Sequence, residues 1–294
     1  MKNRYIYLLL FVSFNLYSQT SSGLKFLLTF DSKTTSLGES SVMNAIGSSG
    51  SLANPSNLNL NKGVEFQIGI TKLFSDVNTQ YLLFKTDFSN KVSFGFHILN
   101  YRISDLEIRD IPGEAIGTFN VQYLSTGVSS SYLVDENLSL GVSIKMLYEK
   151  IFIEEASGYS LDFGLYYILN SRTRFGLTLT NLGNMNELKY ERTSLPTTFG
   201  IGCQYNYNVS IFSNYFTLEY RNNFKDRTNH FSFGIETYYN DLFFTRFGYI
   251  TGFESKDFTF GVGIKYWGIN LNYSFIPYSF DLGDSHSISL IFSL

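Results

Sequence analysis

The stretch Phe258 to Trp267, FTFGVGIKYW, sets the terms for the whole chain. Phe258, Phe260, Val262, Ile264 and Tyr266 fall on one parity, and Thr259, Gly261, Gly263 and Lys265 on the other. Successive side chains of a β-strand point to opposite faces. This is therefore a strand with one apolar face and one face of glycine, hydroxyl and charge. A soluble sheet buries its apolar face in a core, whereas a membrane barrel turns the same face toward lipid.

The alternation recurs in Val92–Ile98, Leu138–Met146, Phe175–Leu179, Phe231–Ile235 and Ile288–Leu294. Fourteen strand-like segments follow one another from 63–71 to 286–294, and no helical period competes over a long window. Joins at Ser89–Lys91, Asp135–Asn137, Asn170–Arg172, Asn240–Asp241 and Trp267–Gly268 are short. Those at 103–117, 182–196, 223–229, 251–257 and 277–285 are longer. The join 207–213 is long for its place in this order, and 182–196 has room for a short extra element. Short turns at one end and longer loops at the other are how outer-membrane barrels are organised.

A two-sheet sandwich would alternate too. Polar faces dominated by Gly, Ser and Thr, opposite Phe and Leu, instead fit lipid outside and a crowded interior. Backbone facing lipid must be fully paired, which strands achieve only by closing into a barrel. The expected fold is all-β: a transmembrane antiparallel barrel of about 14 strands over 63–294. Tyr101, Tyr132, Tyr148, Tyr205, Tyr220 and Tyr266, near strand ends, are expected in interfacial girdles.

Composition agrees. Charged residues are 16% of the 294, against roughly 25% in an average soluble domain. The single cysteine excludes an intrachain disulfide framework and a cysteine-cluster metal site, and the net charge of −3 gives no basic field for nucleic acid. Lys2 and Arg4 precede the apolar run Ile6–Val12, and Ser18 is a small residue before Gln19. That is the pattern of a secretory signal peptide over 1–18, so the mature protein works outside the cytoplasm. Residues 31–60 are rich in Ser, Asn, Gly and Thr and lack a period of two. Ser36 with Glu39 reads as a capping box for a short helix that Gly47 ends, and Asn54-Pro55 forces an extended or turn step.

Three stretches resemble the PorV/PorQ-type outer-membrane proteins, relatives of the FadL hydrophobic-compound channels. Thr35-Ser-Leu-Gly-Glu-Ser-Ser41, followed by Asn54-Pro-Ser-Asn-Leu58, is similar to that family's small-residue segment and NPA-L element. Leu37, Gly38, Asn54 and Pro55 match; Glu39 and Ser40 depart from the usual Gly-Ala, and Ser56 replaces Ala. Asn181-Leu182-Gly183 with Leu195-Pro196 looks like its NLG…LP pattern, and Leu282, Gly283 and His286 match its closing motif. The resemblance covers the mature chain and implies a FadL-like barrel with residues 19–62 folded into the lumen as a plug. It implies the outer membrane of a Gram-negative cell, a type IX-like secretion system, and secretion subunits and secreted cargo as partners. The rival reading is a FadL-like channel for hydrophobic small molecules. The motifs do not separate a cargo shuttle from an accessory member.

The chemistry points away from an enzyme, and no residue pattern calls for a cofactor or metal. His97, His230 and His286 are far apart in sequence, with no spacing that suggests a metal site. Ser287 and Ser289 lie beside His286, but neighbours in a strand face opposite ways. Lys145, Glu149, Asp162, Arg174, Glu236 and Lys265 take lumen parity, and their mixed signs suit pairing with each other or with the plug. Glycine on the lumen face leaves room for that plug. The loop Ile103–Ile116 carries four acids among Ile and Leu and is a surface for a partner or simply an acidic loop. Cys203 shares parity with Phe199, Ile201 and Tyr205, so a buried, inert thiol is expected.

Overall fold

The computed structural model describes residues 31–73, 77–192 and 194–294. The expected signal segment 1–18, and residues 19–30 of the expected plug, lie outside the described residues. The first half of the wall is β1 (Glu65–Lys72), β2 (Val77–Asp87), β3 (Val92–Ile108), β4 (Gly117–Leu133), β5 (Leu138–Ile151), β6 (Glu154–Ile168) and β7 (Thr173–Met185). A small hairpin, β8 (Glu187–Leu188) and β9 (Glu191–Arg192), sits in the long join that follows. The second half is β10 (Thr198–Val209), β11 (Phe212–Asn223), β12 (Thr228–Tyr239), β13 (Phe243–Ile250), β14 (Phe258–Tyr266), β15 (Ile269–Pro277) and β16 (Asp284–Ser293).

Every wall strand pairs antiparallel with its neighbours, and β1 pairs with β16 from Glu65↔Ser293 to Lys72↔His286. The result is a closed barrel of fourteen strands with no free edge. One end carries turns of two to four residues, such as 210–211 and 88–91; the other carries 109–116, 186–197, 251–257 and 278–283. We call these the turn end and the loop end. The apparent exception at 207–213 disappears, because the β10–β11 ladder runs on to Val209↔Phe212. The 103–117 join is also shorter than its sequence suggests. The β3–β4 ladder continues past a bulge at Ser104–Asp105, where Asp105 has φ +58°, to Ile108↔Gly117.

The outside is apolar. Phe258, Phe260 and Val262 are exposed while Thr259 between them is fully buried, and Phe66, Ile68, Ile70, Phe94, Ile144 and Ile288 lie exposed on other strands. Such a belt has no counterpart on a soluble monomer and matches acyl chains. Tyr132, Tyr148, Tyr205, Tyr220 and Tyr266 point outward near the strand ends as expected. Tyr101 does not: it shares parity with Ser93, Gly95 and His97 and is 1% exposed inside the lumen. Cys203 is likewise corrected, since its half-exposed thiol faces the outer belt, not a core. At the turn end Trp267 is 87% exposed and stacks on Tyr266, with centroids 5.7 Å apart.

The segment before β1 fills the lumen. It consists of a four-residue helix α1 (Ser32–Thr35) and two 3-10 turns, Gly47–Ser51 and Pro55–Leu60. Asp31, not Ser36, caps α1, and Ser36 ends it. The chain must turn at once, because at Gly38 (φ +67°) a Cβ would lie 2.7 Å from the Tyr249 carbonyl oxygen. Glu39 then pairs with Lys256 of the 251–257 loop instead of closing a capping box. Lumen-facing glycines make the room. A Cβ on Gly164 would lie 2.0 Å from Asn54 Oδ1, and one on Gly141 would lie 2.2 Å from the Ser56 nitrogen.

Two substitutions test this inside-out arrangement in detergent and in vesicles. Gly164→Val should cost about 1–3 kcal/mol by overpacking the plug, and Val262→Arg about 2–4 kcal/mol by placing charge in the acyl belt. Unchanged urea midpoints for both would contradict it.

Candidate functional site

An irregular segment can lie at membrane depth only where its backbone finds partners, and the lumen wall supplies them. The Glu219 carboxylate accepts the Ser41 and Val42 N–H groups at 3.2 and 2.9 Å. Glu65 accepts the Ser48 N–H at 2.8 Å and the Asn61 amide at 2.7 Å. Lys85 donates to the Asn61 and Gly63 carbonyls and pairs with Asp87 at 2.7 Å. Within the plug, the Asn54 and Asn57 amides donate to the Val42 carbonyl at 2.8 and 3.0 Å. Gly38 is held on both sides, its N–H donating to Thr259 Oγ1 at 2.9 Å and its carbonyl accepting from Ser232 Oγ at 2.6 Å.

The motif residues therefore have architectural work. Leu37 packs against Gly234, and Pro55 opens its 3-10 turn over Gly141. At Asn181 (φ +60°) the β6–β7 ladder shifts register, so β7 carries an extra residue. The Asn181 N–H donates to Asp162 Oδ1 at 2.8 Å, and its amide to the Pro196 carbonyl at 3.3 Å. Leu182 and Gly183 continue the ladder opposite Leu161 and Ser160, and Leu195 is buried. Leu282 and Gly283 (φ +86°) form the exposed β15–β16 connection. His286 faces outward, 2.8 Å from the Tyr273 hydroxyl, while Ser287 and Ser289 are buried in the lumen. His286 therefore pairs with neither of these serines. His97 is buried 3.2 Å from Ser125 Oγ, and His230 stacks on Phe253 at 4.2 Å.

The lumen charges divide into two groups. Lys145 pairs with Asp162, and Glu236 takes Lys33 of the plug at 3.1 Å and Arg246 at 2.7 Å. Glu149 is buried beside Tyr123. Arg174 and Lys265 instead line a cavity at the turn end. Sequence reading passed over Glu219, Arg221, Arg246 and Lys256. The parity signal was there for the strand residues, since Glu219 and Arg221 alternate with outward Leu218 and Tyr220. Lys256 belongs to a loop and carries no periodic signal.

Two cavities flank the plug. The loop-end cavity, about 590 Å³, has apolar walls from Val77, Tyr101, Phe253, Ile276 and Phe280. Its wall is continuous with a buried cluster of Tyr101, Tyr123, Leu147, Met185 and Leu195 beneath β2–β7. Among its charges, Glu39 pairs with Lys256, and Arg221 lies 3.8 Å from Glu39. Burial pushes the Glu39 carboxyl up, but Lys256 and Arg221 outweigh it and hold it below its ordinary value. The turn-end cavity, about 410 Å³, is polar. The α1 segment partitions them, with Asp31 and Lys33 lining the turn-end cavity and Thr35 and Glu39 the loop-end one.

No protein-family model and no curated protein matches the chain. Solved structures do. The chain is similar to the Ralstonia pickettii toluene transporter TbuX, at 13% identity and TM-score 0.63, covering 90% of this chain and 97% of that one. Against the CymD monoaromatic hydrocarbon channel the values are 14%, 0.65, 91% and 98%. Against a Pseudomonas aeruginosa FadL homologue they are 10%, 0.58, 89% and 98%. At these identities the likeness is one of fold: a closed β-barrel like those of these channels.

Two stability predictions follow from the buried charges. Glu236→Ala strands Lys33 and Arg246 and should cost about 3–5 kcal/mol, most of it recovered when both cations are also replaced by Met. Glu39 has a depressed folded pKa, so its contribution is complete above its ordinary value of 4.5 and is lost as pH falls through the lower folded value. Unfolding midpoints of wild type and Glu39→Gln should thus differ at neutral pH and converge in strong acid.

Proposed function

We propose that this chain is an outer-membrane channel admitting small, uncharged hydrophobic molecules through the loop-end cavity, with the plug closing the lumen beneath it. The observation that carries the reading is a largely apolar cavity of about 590 Å³ in which Glu39 pairs with Lys256 and lies 3.8 Å from Arg221. An anionic ligand would have to displace Glu39 from its cations; a neutral apolar one displaces nothing. The volume is in the range of small-molecule sites. Proteins of the same fold include a toluene transporter and a monoaromatic hydrocarbon channel, which is support by analogy of fold. In this reading the loop end faces outside the cell, as short periplasmic turns and long outer loops dictate, and export follows removal of the 1–18 segment. Passage requires the plug to move, because it separates the two cavities.

The secretion reading, with type IX-like subunits and cargo as partners, rests on the sequence motifs. One feature favours it as the second choice: exposed Ile111, Ile116 and Tyr190 at the loop end offer apolar contact to a protein.

The test is uptake of labelled toluene by vesicles carrying the protein. Val77→Trp and Ile276→Trp, which fill the cavity, should lower uptake by about tenfold while leaving the barrel folded. Uptake that both variants leave untouched would refute the channel. Pull-down of secreted proteins with C-terminal signal domains would then favour the second reading.

A further inference from the structure

We propose that the turn-end cavity is a second binding site, for a small organic anion: a carboxylate carried on a flat ring. Four cations line it, Lys33, Arg174, Arg246 and Lys265, against three acids, Asp31, Glu236 and Asp241. The acids are unevenly shared. Glu236 serves both Lys33 and Arg246. Asp31 accepts the Gln67 amide at 2.6 Å and caps α1. Asp241 sits exposed in the β12–β13 turn. Arg174 and Lys265 have no carboxylate within ion-pair distance among the described residues.

Buried polar atoms without a hydrogen-bond partner occur at several places in the lumen, Arg221 Nε and Nη2 among them, and three fall together at this cavity. Arg174 Nε, Asn272 Nδ2 and Asn270 Oδ1 are buried without a hydrogen-bond partner among the described residues, and all three residues line this cavity. Asn272 is 2% exposed. Burying such groups unsatisfied is costly, so a polar occupant is implied. Two of the three atoms are donors, and cations outnumber acids four to three along the lining, which favours an anion.

The other wall selects a ring. Tyr215 and Tyr238 stand edge to face at 6.0 Å, Tyr238 and Phe244 lie 5.2 Å apart, and the Arg246 guanidinium sits 4.2 Å from the Phe244 centroid. These rings pack on one another, and Tyr215 and Tyr238 also line the cavity, where an aromatic side chain can pair with a further ring. A cavity of about 410 Å³ holds a benzoate-sized molecule. The site lies across α1 from the apolar cavity, so it stands or falls independently of the channel reading.

Calorimetric titration of the full chain in detergent with benzoate tests this, with benzyl alcohol and inorganic phosphate as the neutral and ringless probes. Benzoate should bind more tightly than either. Arg174→Gln should weaken it by about tenfold, the worth of one charge-assisted hydrogen bond, whereas Val77→Trp in the other cavity should not. Should Arg174→Gln fail to fold, Lys265→Gln, at an exposed position, reads the same loss. Equal binding of benzyl alcohol or phosphate, full affinity in the folded cation variants, or loss in Val77→Trp would overturn the proposal.

Discussion

The structure depends on giving partners to a backbone that has too little secondary structure of its own to supply them all. Residues 31–64 run through the lumen with one helical turn and two 3-10 turns, leaving many N–H and C=O groups to be satisfied by side chains. Glu219, Glu65 and Lys85 reach in from the wall, and Asn54 and Asn57 reach across within the segment. This need explains why lumen faces are built of small hydroxyl, amide and charged residues. It also explains the glycines, since a hydrogen bond from backbone to wall requires close approach.

The barrel itself was legible in the sequence because lipid imposes a period of two. Phe258-Thr-Phe-Gly-Val alternates at full strength since each outward residue meets acyl chains and each inward one meets the plug. Boundaries were legible where hairpin turns are tight, as at Trp267–Gly268, both with positive φ. Reading failed where parity was set aside. The place of Tyr101 near a strand end suggests a girdle residue, but its parity with Ser93 and His97 puts it inside. The plug was harder, because its conformation is dictated by the wall: the Ser36–Glu39 capping pattern is genuine locally, yet Glu39 gains more from Lys256 and Arg221.

Of the candidate site, the sequence showed the mixed charges and not their grouping. Lys145 with Asp162 joins neighbouring strands, whereas Glu236 ties β12 to both β13 and the plug. Which cations remain without a carboxylate is a property of that three-dimensional sharing. The apolar cavity was invisible for a similar reason, its walls coming from Val77, Tyr101, Phe253 and Ile276, on separate strands and a loop.

Trp267 is the chain's one tryptophan, held in a left-handed turn on the Tyr266 ring and open to its surroundings. Intrinsic indole emission from the whole molecule thus originates at a single level, the turn-end rim of the barrel. The protein carries its own optical marker of orientation, and no engineered label is needed to learn which rim of the cylinder a quencher has reached.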